Sequence, residues 1–205
     1  MKKRFISVMI MALAVVSILS GCQKKVTTVA DDITAQNSEY VTMEEFKLKE
    51  EPSVTGESIG CCAILIPDTF VRSEDVEGMY VSRLYPLDAS NIYYSVVEPE
   101  DIGAINDSLT KEDYKEAVER SYAALGHPVE LNVDAFDVDS IEDIPCFKIR
   151  SHYNVGERDV QQLVYIIVAD KIHVITYTQL SDDELMSDFL VDEGNIKLVR
   201  EISQA

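Results

Sequence analysis

The apolar and polar residues of this chain follow two different periods from residue 59 onward. Seven runs have the length, alternation and β-branched or aromatic content of strands. These runs cover residues 61–66, 79–85, 91–98, 129–138, 145–155, 160–169 and 172–178. The last two carry apolar residues on both faces, which is typical of central strands that are covered on both sides. The apolar phase of the fourth run switches at Phe136, which predicts a β-bulge.

Two stretches have helical features instead. Thr110 is a predicted N-cap, and Gly126 is placed to end the helix as a C′ glycine. Its apolar stripe comprises Tyr114, Val118, Tyr122 and Leu125. The segment Ser181-Asp182-Asp183-Glu184 reads as a capping box that opens a second helix through Leu190. Residues 196–202 fit either one more helical turn or an extended end piece.

A sheet whose central strands are apolar on both faces needs cover on both faces, and two helices can supply it. The predicted fold class is therefore α+β, with an antiparallel sheet of six to seven strands covered by helices on both faces, an α/β/α sandwich.

The N-terminus has the features of a secretory signal. Three basic residues follow Met1, and a mostly apolar run covers residues 5–19. That run is shorter than the roughly 20 residues that a membrane-spanning helix needs. The next positions, Leu19-Ser20-Gly21-Cys22, resemble the lipobox of bacterial lipoproteins. The resemblance implies a diacylglycerol on the Cys22 sulfur, removal of residues 1–21, and attachment to the extracytoplasmic face of the cell membrane.

The composition divides the rest of the chain in two. Residues 22–58 are polar and acidic, with little apolar periodicity, and are predicted to be a lipidated N-terminus and flexible tether. Residues 59–205 are predicted to form a single sandwich domain.

The net charge excludes one class of partner. The chain carries 18 basic and 37 acidic residues, for a net charge of −19, and loss of the three basic residues of the signal makes it −22. This charge argues against binding to nucleic acid, which requires basic patches. It also predicts that the domain does not lie flat on an anionic bilayer. The charge itself fits either solubility or a cationic or metal-bearing partner.

The sequence contains no catalytic, cofactor-binding or metal-ligating motif, and no residue is predicted to have any of these three roles. Cysteines at 61, 62 and 146 leave two alternatives: one of the neighbouring pair is bonded to Cys146, or all three are free and at least partly buried. His127 is expected at the helix end and His173 in or beside the core. His152 shares a polar strand face with Lys148 and Arg150, either as a solvated face or as a small basic patch.

The order of elements resembles the PsbP-like fold. The resemblance rests on the strand and turn Ile66-Pro67-Asp68-Thr69-Phe70, on the capped helix over 110–125, and on the strand pair before the terminal helix. It implies a non-catalytic accessory or binding module, so the chain is predicted not to be an enzyme. The expected partners are the membrane, through the lipid on Cys22, and an unidentified protein or small ligand. The alternative is an envelope enzyme, or a calcium- or small-ligand-binding protein that uses an acidic pocket such as residues 137–143.

Overall fold

The computed structural model describes residues 38–42, 59–97, 109–180 and 196–200. These residues form ten strands and one helix. The strands are β1 (Ser38–Thr42), β2 (Ile59–Pro67), β3 (Phe70–Arg72), β4 (Met79–Ser82), β5 (Asn91–Val97), β6 (Asn132–Ile141), β7 (Ile144–Val155), β8 (Arg158–Val168), β9 (Ile172–Leu180) and β10 (Ile196–Arg200), and the helix is α1 (Lys111–Ala124).

Seven of the strands form one antiparallel sheet in the order β3-β4-β5-β9-β8-β7-β6. The two strands predicted to be central lie inside it. Every residue of β9 is buried, and β8 is buried continuously from Gln162 to Val168. Because both faces of these strands are apolar, the sheet must be covered on both sides. The prediction of central strands is confirmed.

A second sheet covers one face of the first. Its strands run in the order β1-β2-β10, and all neighbours are antiparallel. Ile64 and Ile66 of β2 pack in one apolar cluster with Ile175 and Tyr177 of β9. The first predicted strand is therefore not part of the main sheet, and residues 196–200 take the extended alternative.

The helix α1 covers the other face. Tyr114, Val118 and Tyr122 are buried in a second apolar cluster with β7, β8 and β9. The Thr110 side chain accepts a hydrogen bond from the Asp113 backbone N–H at 3.1 Å, as an N-cap does. The other end closes with a left-handed glycine: Gly126 has φ +83° and the His127 N–H donates to the Tyr122 carbonyl at 3.0 Å. The predicted helix is confirmed at both ends.

One expectation from the sequence needs correction. Helices on both faces are not supported, because among the described residues a three-stranded sheet occupies the face opposite α1. The second predicted helix, over residues 181–190, lies outside the described residues. Residues 38–42 lie in the segment that composition assigns to the tether. They form strand β1, and each of them pairs with a residue of β2.

The predicted bulge is present near the start of β6. The register of β6 against β7 shifts between Val133 and Ala135, so Asp134 is the extra residue. The phase change along this run was placed at Phe136, two residues later.

Gly78 is a position where the fold requires glycine. Its φ is +77°, and a Cβ added there would collide with the carbonyl oxygen of Tyr94. The Tyr94 N–H donates to the Gly78 carbonyl at 2.9 Å, so this close approach holds the start of β4 against β5.

Gly78→Ala should lower the free energy of unfolding by about 1–3 kcal/mol or more, because the left-handed conformation and the collision act together. Gly156→Ala is the matched control. Gly156 also has positive φ, +63°, but nothing lies within 4 Å of an added Cβ. Denaturant unfolding of both variants measures the difference. Equal losses would show that the contact with Tyr94 is not a constraint.

Candidate functional site

The predicted lipidation site, Cys22, lies outside the described residues. Within the residues that are described, no helix is long and apolar enough to cross a membrane. In the described residues, five features carry groups that could bind or react: the buried cysteines, the polar face of β7, the acidic run of residues 137–143, the polar residues beneath α1, and one exposed loop.

The three remaining cysteines are buried thiols that form no disulfide bond. Cys61 and Cys62 lie on β2, and Cys146 lies near the start of β7. Cys62 and Cys146 belong to the apolar cluster between the two sheets. Of the two alternatives left by the sequence, the structure supports buried thiols rather than a disulfide.

Tyr94 connects this cluster to a buried histidine. Its hydroxyl lies 2.9 Å from Nδ1 of His173 and also interacts with Cys62. His173 has no exposed surface. The imidazole also interacts with the Ile59 backbone, and its Nε2 has no hydrogen-bond partner among the described residues. Burial lowers the pKa of His173 to about 4, opposed by the nearby carboxylate of Asp170.

A cysteine–histidine enzyme needs a thiolate that substrate can reach. Burial raises the pKa of the Cys62 thiol far above its usual range, and the neighbouring Cys61 and Cys146 raise it further. Burial also raises the pKa of Cys146 to about 12. Both thiols are therefore protonated at neutral pH, and His173 is neutral. The cluster is suited to packing β2 against the main sheet rather than to nucleophilic attack.

The predicted basic face of β7 exists, and acids of the neighbouring strand lie beside it. Nδ1 of His152 lies 2.9 Å from Oδ2 of Asp134. Lys148 is directly opposite Asp137 in the β6–β7 register, and its ammonium also lies 5.6 Å from the centre of the Tyr165 ring. Arg150 is exposed, and the His152 side chain is 42% exposed beside Asp134. This pattern fits a solvated, largely charge-balanced face better than a patch that attracts anions.

The acidic run considered as a calcium site is divided between a strand and a tight turn. Asp137 and Asp139 lie on β6, whereas Glu142 and Asp143 form the two-residue turn between β6 and β7, both with positive φ. Glu142 uses its carboxylate to accept the backbone N–H of Leu198 at 3.1 Å. Across the described ranges, no group of three or more histidine, cysteine or acidic residues is placed to hold a metal ion.

A row of buried polar side chains crosses the face of the sheet beneath α1, and the sequence analysis missed it. Ser151, Gln162, Thr178 and Asn91 are consecutive partners across β7, β8, β9 and β5. None is more than 5% exposed. Gln162 donates to the Thr178 hydroxyl at 3.2 Å. These four positions are far apart in the sequence, so only the register of four strands reveals the row.

Some polar atoms along this row have no hydrogen-bond partner in the described structure. They include Oδ1 of Asn91 and Oγ of Ser151, and in the next row Oγ1 of Thr176. The buried Tyr114 hydroxyl lies close enough to Ser151 for this serine to lower the pKa of Tyr114. The two hydroxyls do not, however, reach hydrogen-bond geometry. Unsatisfied buried groups of this kind cost about 1–3 kcal/mol each unless water or a ligand meets them.

The last feature is an exposed apolar loop between β4 and β5. Six large hydrophobic residues of the described chain are exposed, and three of them lie in this loop: Leu84 at 51%, Tyr85 at 38% and Leu87 at 85%. Single exposed apolar residues are normal, but three within four positions are not scattered. The strand predicted over residues 79–85, ended by Pro86, is shorter in the structure: β4 ends at Ser82.

The architecture defines the class of fold: a seven-stranded antiparallel sheet with a helix on one face and a small sheet on the other, in a PsbP-like arrangement. No protein-family model matches the sequence, and no curated protein matches it. The solution structure of cyanobacterial PsbP (CyanoP) from Synechocystis sp. PCC 6803 is similar, with a TM-score of 0.56 and 9% sequence identity, over 84% of this chain and 98% of that one. The predicted PsbP-like fold is thus supported.

Two further solved structures overlap more loosely. The Ran-binding protein Mog1p of Saccharomyces cerevisiae has a TM-score of 0.46 at 13% identity, over 76% of this chain and 84% of its own. LpqN of Mycobacterium tuberculosis, described as involved in cell envelope biogenesis, has a TM-score of 0.43 at 12% identity, over 79% of this chain and 91% of its own.

The buried His173 predicts a specific dependence of stability on pH. Its pKa is about 4 in the folded protein, against an ordinary value of 6.5. Between these values the unfolded chain binds more protons, so stability is complete above pH 6.5 and falls as the pH is lowered toward 4. The loss from this group is at most roughly 3 kcal/mol.

His173→Gln should remove this component and leave the contribution of the carboxylates. The measurement is the free energy of unfolding of both proteins from about pH 4 to about pH 7. Parallel curves for the wild-type protein and the variant would contradict the assignment to His173.

Proposed function

We propose that this chain is a lipid-anchored extracytoplasmic lipoprotein whose globular domain is a non-catalytic binding or accessory module of the cell envelope. The observation that carries the proposal is the sequence Leu19-Ser20-Gly21-Cys22 directly after a basic start and an apolar run. A diacylglycerol on Cys22, with Lys24 and Lys25 beside it, provides the two signals that stable anchoring requires.

The fold supports an accessory role, because PsbP-like domains include accessory proteins. The environment of the titratable groups supports the same conclusion. The cysteines are protonated, His173 is neutral, and both are buried where a substrate does not reach them. The side chains that an enzyme of the cysteine–histidine type would use therefore serve the core instead.

The net charge limits the classes of molecule that the domain can bind. A mature chain of net charge −22 repels nucleic acid, and two of the three basic side chains of β7, His152 and Lys148, face carboxylates on β6. The binding partner in this proposal is a protein or a small ligand. For a small ligand, the buried polar row beneath α1 is the first place to test.

The anchor is tested by Cys22→Ala. Without the thiol no lipid can be attached, so the protein should move from the membrane fraction to the soluble fraction. Cys61→Ala is the matched control, because that thiol is buried in the fold, and it should stay with the membrane. Cell fractionation followed by detection of the protein gives the readout. Retention of the Cys22→Ala protein on membranes would refute the lipobox assignment.

The binding role is tested by crosslinking in intact cells, followed by mass spectrometry. The comparison protein keeps residues 1–58 and carries an unrelated domain in place of residues 59–205. We expect at least one protein to be captured by the native domain alone. Identical captures from both proteins would contradict a protein-binding module and would direct the search to small ligands at the polar row.

A further inference from the structure

We propose that the apolar loop of residues 84–87 inserts into the interface of the lipid bilayer and orients the domain on its anchor. The inference rests on the proposed lipid attachment at Cys22. It assigns a membrane-facing end to the molecule, which the lipobox by itself does not.

The loop displays its apolar side chains on an ordered backbone. The Leu87 N–H donates to the Leu84 carbonyl at 2.8 Å, and the Tyr85 N–H donates to the Ser82 carbonyl at 3.0 Å. The Ser82 hydroxyl also accepts the Leu84 N–H at 3.2 Å. These bonds close consecutive turns that leave the three apolar side chains between 38% and 85% exposed.

The base of the loop is fixed to the turn after β2. The Arg83 N–H donates to the Thr69 carbonyl at 2.9 Å, and its guanidinium Nε donates to the Asp68 carbonyl at 2.6 Å. Asp68 and Thr69 immediately follow Pro67, the last residue of β2. The apolar loop and the end of β2 therefore lie side by side.

The chain from the lipid arrives at this same end. Strand β1 is antiparallel to β2, and its first residue, Ser38, is the partner of Pro67. Cys22 precedes Ser38 by sixteen residues, which can span at most about 55 Å. The described chain thus begins beside the base of the loop, and a segment of this length leaves the loop within reach of the bilayer that holds the lipid.

The chemistry of the loop favours a bilayer interface as its occupant. Leucine and proline are apolar, and tyrosine is enriched at membrane interfaces because its ring is apolar and its hydroxyl polar. The charge of the chain acts in the opposite direction and selects the orientation. With a net charge of −22, a broad face of the domain is repelled by anionic headgroups, whereas an apolar tip can enter without bringing the acidic faces close.

The absence of tryptophan from the sequence provides a direct test. Leu87→Trp places a single fluorophore at the tip of the loop, at a position 85% exposed. Val138→Trp is the matched control, because Val138 is 74% exposed on the edge strand β6, away from the loop. Both changes replace an exposed apolar residue, so neither should disturb the core.

The mature chain, residues 22–205, is coupled through the Cys22 thiol to a maleimide lipid in phosphatidylcholine vesicles. The other three cysteines are buried, so one maleimide per chain is the expected stoichiometry, checked by mass. Coupling fixes the anchor chemically, so the result depends on the loop and not on native lipidation, which Cys22→Ala tests separately in cells.

We expect the tryptophan emission of the Leu87→Trp chain to shift to shorter wavelength on coupling and to be quenched by phosphatidylcholine brominated on its acyl chains. The emission of the Val138→Trp chain should show neither change. Adding Leu84→Ser to the Leu87→Trp chain should reduce both changes, because a second apolar contact is lost. If the two single-tryptophan chains behave alike in coupled vesicles, the proposal is overturned, even where the Cys22→Ala experiment has confirmed the anchor.

Discussion

The structure depends on one constraint: β8 and β9 are apolar on both faces, so neither face of the main sheet can be left in water. Burial of each large aliphatic side chain contributes about 1.5–3 kcal/mol, and these two strands contain many of them. Every other element of the described chain is arranged around that demand. The helix α1 covers one face, the sheet of β1, β2 and β10 covers the other, and the outer strands extend the sheet to edges that can be exposed.

This arrangement also determines the state of the chemistry-bearing residues in the core. The side chains of Cys62 and His173 point into the interface between the two sheets, where burial keeps the thiol protonated and the imidazole neutral. Tyr94 joins them through the hydrogen bond between its hydroxyl and the His173 ring. A group that is held neutral in a dry interface stabilises packing, whereas cysteine–histidine catalysis would require the same groups to be charged and reachable.

The features that face outward have a different distribution. Charge is spread over β6, β7 and the turns, where opposite signs meet across strands, and apolar exposure is concentrated in one loop next to the end of β2. Because Ser38 pairs with Pro67, the entry of the chain from the predicted lipid and this loop share one end of the molecule. In the proposed arrangement this end of the domain faces the membrane, whereas the sequence predicts only that the chain is anchored.

The sequence by itself determined the local features: the period of the strands, the capped helix from Thr110 to Gly126, the presence of a bulge in the strand that became β6 (though not its position), and the lipobox-like sequence that ends at Cys22. These follow from neighbouring residues, whose spacing fixes caps, turns and faces. Tertiary structure alone decided that β2 leaves the main sheet, that residues 38–42 form a strand, and that a sheet rather than a helix lies opposite α1. It also decided the polar row from Ser151 to Asn91 and the position of both Ser38 and the base of the apolar loop beside the end of β2. Such features depend on which strands pair over long separations in sequence, and any apolar face of suitable size can satisfy a buried sheet, so the pattern of one chain does not select its partner.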